Sequence, residues 1–156
     1  MRPAELARDD SPSMDAILHA LDQLPGFDAI LLLQPTSPLR DSADINAFMH
    51  FVSTRQANCA VSVCAAAQSP YWMMNLAADQ HLTRLIDSDL ITRRQDLPQA
   101  YTLNGAMYFA RTDWLVANQT FLNQETIGFI MPPEKSLDID TPLDWKLAEL
   151  LLKEVL

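Results

Sequence analysis

Two acidic side chains one residue apart, Asp138 and Asp140, carry the sharpest chemical signal in this chain. In an extended segment they would project to the same face, with Leu137 and Ile139 on the other. Adjacent carboxylates disfavour each other's ionisation. A hard divalent cation such as Mg²⁺ (or Mn²⁺) relieves that repulsion and prefers oxygen ligands. It also bridges phosphate oxygens, which connects the pair to phosphoryl or nucleotidyl transfer. Taken alone, Asp-x-Asp is equally readable as two solvated acids before a helix, where the positive helix end favours them.

Two further segments hold polar groups suited to a ligand. Gln34-Pro35-Thr36-Ser37-Pro38-Leu39-Arg40 offers an amide, two hydroxyls and a guanidinium in a stretch whose prolines exclude helix and sheet interior. Thr92–Tyr108 contains Arg93, Arg94, Asn104, Gly105 and Tyr108. Arginine suits bidentate capture of a carboxylate, and Asn-Gly favours positive φ and a tight turn. Each segment alone also reads as an ordinary turn or hairpin. Phe121 could pack on a ligand or fill the core. His19, His50 and His81 are scattered, and no Gly-x-Ser-x-Gly elbow or Walker loop occurs.

The elements that must position these groups alternate helix and short apolar strand, which predicts an α/β domain with a largely parallel sheet. A helix is expected over 12–24, capped by Ser11, with Met14, Ile17, Leu18 and Leu21 at helical spacing. The apolar run 28–33 predicts a central strand covered on both faces, so the Gln34–Arg40 loop leaves its carboxyl end, where open α/β sheets bind ligands. A helix follows near 42–54, then a strand over 59–63. From 68 to 103 the periodicity weakens, with a possible hairpin from 71–74 and 81–85; such stretches inside a domain are usually functional or partner-bound. Strands at 106–110 and 127–131 flank a short helix near 112–118. Thr141, Pro142 and Asp144 mark the start of a last helix, and an Asp-x-Asp segment leads into it.

The chain's 156 residues suit one domain, and 49% apolar residues predict a core. No apolar run reaches membrane-spanning length. The net charge of −9 argues against a nucleic-acid partner. It also leaves a deficit for any protein handling phosphates, because Lys135, Lys146 and Lys153 are the only lysines. Cys59 and Cys64 would face opposite ways in a strand, so they read as small buried hydrophobes in a reducing cytoplasm.

Taken in order, Gln34–Arg40, then Arg94-Gln95-Asp96-Leu97-Pro98-Gln99-Ala100-Tyr101 with Asn104-Gly105-Ala106-Met107-Tyr108, then Ser136–Asp144 resemble the acylneuraminate cytidylyltransferases. Arg2–Ala7 is similar to the family segment that precedes the first helix. The resemblance covers essentially the whole chain. It implies a Rossmann-like nucleotidyltransferase fold and attack of a sialic-acid-type sugar's anomeric hydroxyl on the α-phosphate of CTP. It also implies metal ligation by Asp138 and Asp140. Gln34, Asn104, Tyr108 and Phe121 match positions lining the sugar pocket, Ser37 and Arg40 stand in the same substrate loop, and Ser13 matches a position near the nucleotide. Arg94 matches an arginine that reaches into a partner subunit's site, which would make 68–103 the arm of a homodimer. Two departures stand out. Trp72 occupies a position near which some members carry lysine. The family's opening strand and its glycine-, arginine- and lysine-rich triphosphate loop have no counterpart here, so an exposed sheet edge or apolar patch and little turnover by the chain alone are expected. Two alternatives remain: the same chemistry on legionaminic acid or another acidic sugar, and a non-catalytic binding or dimerisation module.

Overall fold

The computed structural model describes residues 3–8, 10–89 and 91–155. Of the amino-terminal segment singled out above, Arg2 lies outside the described residues. The order of elements is α1 (Ser13–Gln23), β1 (Ala29–Leu32), α2 (Ser42–Thr54), β2 (Cys59–Ala65), β3 (Met74–Leu76), β4 (Leu82–Arg84), β5 (Tyr101–Arg111), α3 (Thr112–Asn118), β6 (Ile127–Ile130) and α4 (Pro142–Val155).

The main sheet has strand order β1-β5-β2-β6. Strands β1, β2 and β6 run in one direction, and β5 runs against them between β1 and β2. Alternation along β2 and β5 divides the core between the two faces. Cys59, Val61, Tyr108 and Ala110 pack with Ile17 of α1 and Trp114 and Leu115 of α3. Ala60, Met107 and Phe109 pack with Phe48 and Val52 of α2 and with Met131. The cysteines are free and buried, as the alternation requires.

Two local expectations are corrected. The run 28–33 is an edge strand, not a central one: among the described residues β1 pairs only with β5, and all four of its residues are half-buried. An apolar run looks the same whether a neighbour covers one edge or two. Ser11 does not cap α1; its hydroxyl donates to the Glu5 carbonyl at 2.9 Å, and Pro12 holds the cap position without a side-chain bond.

The other helix starts follow from their side chains. Asp41 accepts from the N–H groups of Ala43 and Asp44, and Asp44 accepts from Asp41 N–H, a complete capping box for α2. At α4, Thr141 and Asp144 reciprocate in the same way, the Asp144 carboxylate accepting from Thr141 N–H at 2.8 Å. Strands β3 and β4 form a separate two-stranded hairpin in which Leu76 faces Leu82, and all six strand residues are exposed. Among the described residues no helix is long and apolar enough to cross a membrane.

Candidate active site

The site begins with a distortion in the sheet. Val61 pairs with Tyr108 and Val63 with Leu103, so Ser62 alone faces Asn104–Met107 on β5. The surplus residues bulge out of the ladder, which re-aims the local backbone. Gly105 sits in the bulge at φ +70°. Asn-Gly therefore delivers the positive φ expected of it, but inside an eleven-residue strand, not at a turn.

The bulge creates a cradle that only glycine fits. A Cβ at position 105 would lie 2.7 Å from Asp138 Oδ2, 2.8 Å from Gln34 Oε1 and 3.0 Å from Ser37 Oγ. Two segments far apart in sequence thus converge on one backbone atom of a third. The Gln34–Arg40 loop reaches it from the carboxyl end of β1. The buried Ser37 hydroxyl donates to the Asn104 carbonyl at 3.0 Å. The Arg40 guanidinium donates through Nη1 to the Gln34 and Ser37 carbonyls at 2.6 and 2.7 Å. Arg40 therefore braces its own loop, and partial burial pulls it below its ordinary pKa.

The acidic segment docks onto the same loop through Ile139 N–H, which donates to the Thr36 carbonyl at 2.9 Å. Residues 136–140 are irregular, not the strand assumed for Asp138 and Asp140. Asp138 is half-buried, and its Oδ1 is buried without a hydrogen-bond partner among the described residues. Asp140 is exposed, and its N–H is turned toward the Asp144 carboxylate at 3.2 Å. Burial, reinforced by the Asp138 charge, pushes the Tyr108 phenol above its ordinary value. That coupling places Tyr108 within electrostatic reach of the cradle. The Tyr108 ring leans on Phe121, with centroids 5.6 Å apart and planes at 58°. Phe121 is buried in the core beneath it.

Not every residue named from sequence joins this cluster. Arg94 lies in an exposed turn and donates to the Ala67 carbonyl at 3.2 Å, lining a shallow cleft with Ser69, Leu97 and Gln99. Ser13 is exposed at the first turn of α1. Asn104 is present but committed inward, as its two hydrogen-bond acceptors and donors all meet protein atoms. Trp72 donates from its ring nitrogen to the Ile91 carbonyl at 2.7 Å, a bond internal to the 68–103 region.

Three contributors escaped sequence reasoning. Ser62 and Ser136 hold Asn104 from either side. Lys135 Nζ reaches Asp41 Oδ2 and Asp44 Oδ2, each at 2.8 Å, fastening the segment before Asp138 to the start of α2. This pairing depresses Asp41 to about 2 and raises Lys135. A serine between apolar residues on a buried strand was the available signal for Ser62; nothing local marked the other two.

Among the described residues no group of three or more His, Cys, Asp or Glu side chains gathers. Magnesium is commonly held by one or two carboxylates together with water and substrate phosphates. The orphaned Asp138 Oδ1 supplies an uncompensated acceptor of the right chemistry.

No family model matches the chain. It is 32% identical over 98% of its length to the post-translational flagellin modification protein B of Campylobacter coli, covering 67% of that protein. It is 30% identical to the CMP-N,N'-diacetyllegionaminic acid synthase of Legionella pneumophila, covering 68% of it. The chain belongs to the acylneuraminate and legionaminate cytidylyltransferase family. An Escherichia coli N-acylneuraminate cytidylyltransferase is 32% identical over 95% of the chain, which spans 35% of that longer protein. The fold agrees with two solved structures. One is CMP:2-keto-3-deoxy-manno-octonic acid synthetase complexed with CTP, at 14% identity with a TM-score of 0.63 over 95% of this chain and 70% of the other. The other is 4-diphosphocytidyl-2C-methyl-D-erythritol synthase from Anaerococcus prevotii, at 10% identity with a TM-score of 0.59 over 92% and 65%. Members of this cytidylyltransferase family are nucleotidyltransferases, and the chain's mixed α/β sheet with its helices is of that type.

Proposed function

We propose that this chain provides the sugar- and metal-facing part of a cytidylyltransferase that transfers CMP from CTP to the anomeric hydroxyl of an acidic nine-carbon sugar, releasing pyrophosphate. The observation that carries the proposal is the convergence of Asp138, Gln34 and Ser37 on Gly105, with one Asp138 oxygen buried and unpaired. Asp138 and Asp140 would hold Mg²⁺ or Mn²⁺, which when bound offsets the negative charge of the transferring phosphates.

The chain's own groups then divide the remaining work. The Gln34 amide, half-buried beside Asp138, can hydrogen-bond sugar hydroxyls and fix their orientation. The Tyr108 hydroxyl remains a neutral donor at physiological pH, since its ionisation is displaced upward. Phe121 keeps the ring in place from below. Ser37 and Arg40 hold the loop's curvature, and Asn104 the bulge. Such fixed geometry lowers the barrier by orientation and by electrostatics that need no reorganisation during reaction.

Arg94 lies apart from the cradle on the exposed 68–103 region. Its proposed role is to pair with the sugar carboxylate of a second copy in a homodimer, the planar guanidinium matching a carboxylate bidentately. The exposed Trp72, Met74, Leu76 and Leu82 would be covered in that assembly. Ser13, at the start of α1, would face the nucleotide. A cytoplasmic setting suits both the soluble substrates CTP and sugar and the free thiols.

Relatives of which the chain covers two thirds include one named for N,N'-diacetyllegionaminic acid, so that sugar belongs in the assay beside N-acetylneuraminic acid. The test uses a fusion of this chain with the part of the Legionella pneumophila relative that the chain does not cover. CMP-sugar is then followed by anion-exchange chromatography from CTP, Mg²⁺ and each sugar. CMP-sugar formation that disappears in the Asp138→Ala form is the expected result. A well-folded fusion that binds CTP yet makes no CMP-sugar from either acid would leave the binding-module reading standing instead.

A further inference from the structure

Asn104 is the one buried amide in the site, and its hydrogen bonds run in a single direction across the molecule. Met107 N–H donates to Ser62 Oγ at 2.8 Å, and Ser62 donates to Asn104 Oδ1 at 2.6 Å. Ala106 N–H also donates to Oδ1, at 3.2 Å, which fixes the amide's orientation because a backbone N–H cannot accept. Asn104 Nδ2 then donates to Ser136 Oγ at 2.9 Å and to Met131 Sδ at 3.4 Å. Ser136 Oγ in turn donates to the Pro132 carbonyl at 2.8 Å. Ser62 and Asn104 are almost wholly buried, at 1% and 2% exposure, so neither of these two can readily exchange its partners for water.

The chain of bonds ties two parts of the molecule together, adding to Met131 N–H, which donates to the Val63 carbonyl of β2 at 2.8 Å, and to Lys135 on Asp41 and Asp44. One end is strand β2, at the residue opposite the bulge. The other is the irregular segment that carries Asp138 two residues after Ser136. No strand ladder fixes that segment; Ile139 N–H to the Thr36 carbonyl is its one described backbone bond to the Gln34–Arg40 loop. We propose that Ser62, Asn104 and Ser136 form a positioning relay that seats Asp138 against the Gln34–Ser37 loop, so that strand β2 sets where the phosphate-facing carboxylate sits. The inference rests on the metal-holding role argued above for Asp138, but its structural half stands without it. Asn104 thereby acts through Asp138 and not through its own contact with the sugar.

Groups that act through a ligand commonly change metal affinity about 10- to 100-fold when removed. Ser136 is the informative site, because it is half-buried and its loss does not open the core. The full 156-residue chain is prepared as wild type, Ser136→Ala, Ser136→Thr and Asp138→Asn. Two readouts are taken. Amide hydrogen exchange at Ile139 reports docking of the acidic segment, with Ala60 and Val61 in β2 as the control for global opening. Titration with Mn²⁺ alone, followed by paramagnetic relaxation, reports the metal.

Ser136→Ala is expected to raise exchange at Ile139 about 10-fold while Ala60 and Val61 stay protected, to weaken Mn²⁺ about 10-fold, and to be rescued in both by Ser136→Thr. Unchanged Ile139 exchange, or an increase shared equally by Ala60 and Val61, overturns the relay. Loss of Mn²⁺ binding in Asp138→Asn with none in Ser136→Ala also overturns it. If Asp138→Asn itself leaves Mn²⁺ binding intact, the metal reading fails, and Ile139 exchange still decides the relay.

Discussion

Replacing Gly105 with alanine tests the cradle on which the site depends. Two costs add at this position. The backbone sits at φ +70°, where an L side chain costs about 1–2 kcal/mol. The new Cβ would then meet Asp138 Oδ2 at 2.7 Å and Gln34 Oε1 at 2.8 Å. Favourable contact begins near ~3.5 Å, so these groups must retreat, and overpacking of that kind costs about 1–3 kcal/mol. The sum, about 2–5 kcal/mol, corresponds to a fall in melting temperature of roughly 4–20 °C for a chain of this size. Gly26 supplies the control. Its φ is also positive, at +97°, but a Cβ there meets nothing within 4 Å. Gly26→Ala should therefore lose only the backbone part, about 2–8 °C. Circular dichroism melts of both variants give the comparison, and Mn²⁺ titration should show weakening in Gly105→Ala alone. Equal melting temperatures for the two alanine variants would refute the cradle geometry.

Other consequences follow from particular contacts. Lys135→Met removes the partner that depresses Asp41 to about 2. A depressed carboxylate stabilises above its unfolded value of about 4 and loses that contribution as pH falls toward 2. Lys135 is raised, so its share persists up to its unfolded value near 10.5 and is lost above it. The melting deficit of Lys135→Met should accordingly be constant from about pH 5 to 9 and shrink at both ends; a deficit independent of pH would contradict the pairing. Thr141→Val deletes the α4 cap and should cost about 1 kcal/mol, read as a fall of roughly 2–4 °C. Wild type should sediment as a dimer at micromolar concentration, and a Leu76→Glu, Leu82→Glu form as a monomer with unchanged circular dichroism; a monomeric wild type would remove the proposed role of Arg94.

What the sequence made legible, and what it hid, divides along physical lines. Helices α2, α3 and α4 and strands β2 and β6 follow from apolar spacing, because one buried face leaves a periodic trace. The Thr141-Pro142 start of α4 is visible because capping is local chemistry. The position of β1 was not legible: Ala29–Leu32 reads as covered on both faces, which the packing of Ile30 and Leu32 on one side and Ala29 and Leu31 on the other bears out, but no property of a strand's own residues records whether its second edge is paired. The bulge was half legible. Asn104-Gly105 announces positive φ, but the same dipeptide serves a turn or a bulge, and the choice depends on Ser62 across the ladder. Asp138 and Asp140 looked equivalent under a strand's two-residue period. In the irregular segment that actually forms, one carboxylate enters the cradle and the other stays exposed. Ser136 and Lys135 escaped notice because their partners lie 32 and 91 or more residues away.

The account stands most directly on where a divalent ion binds. Mn²⁺ added to the isotopically labelled chain should broaden the amide signals of Gly105 and Ala106 before those of the 68–103 hairpin, and Asp138→Asn should abolish that broadening. Broadening centred on the hairpin, or a Gly105 signal equally affected in wild type and Asp138→Asn, would contradict it.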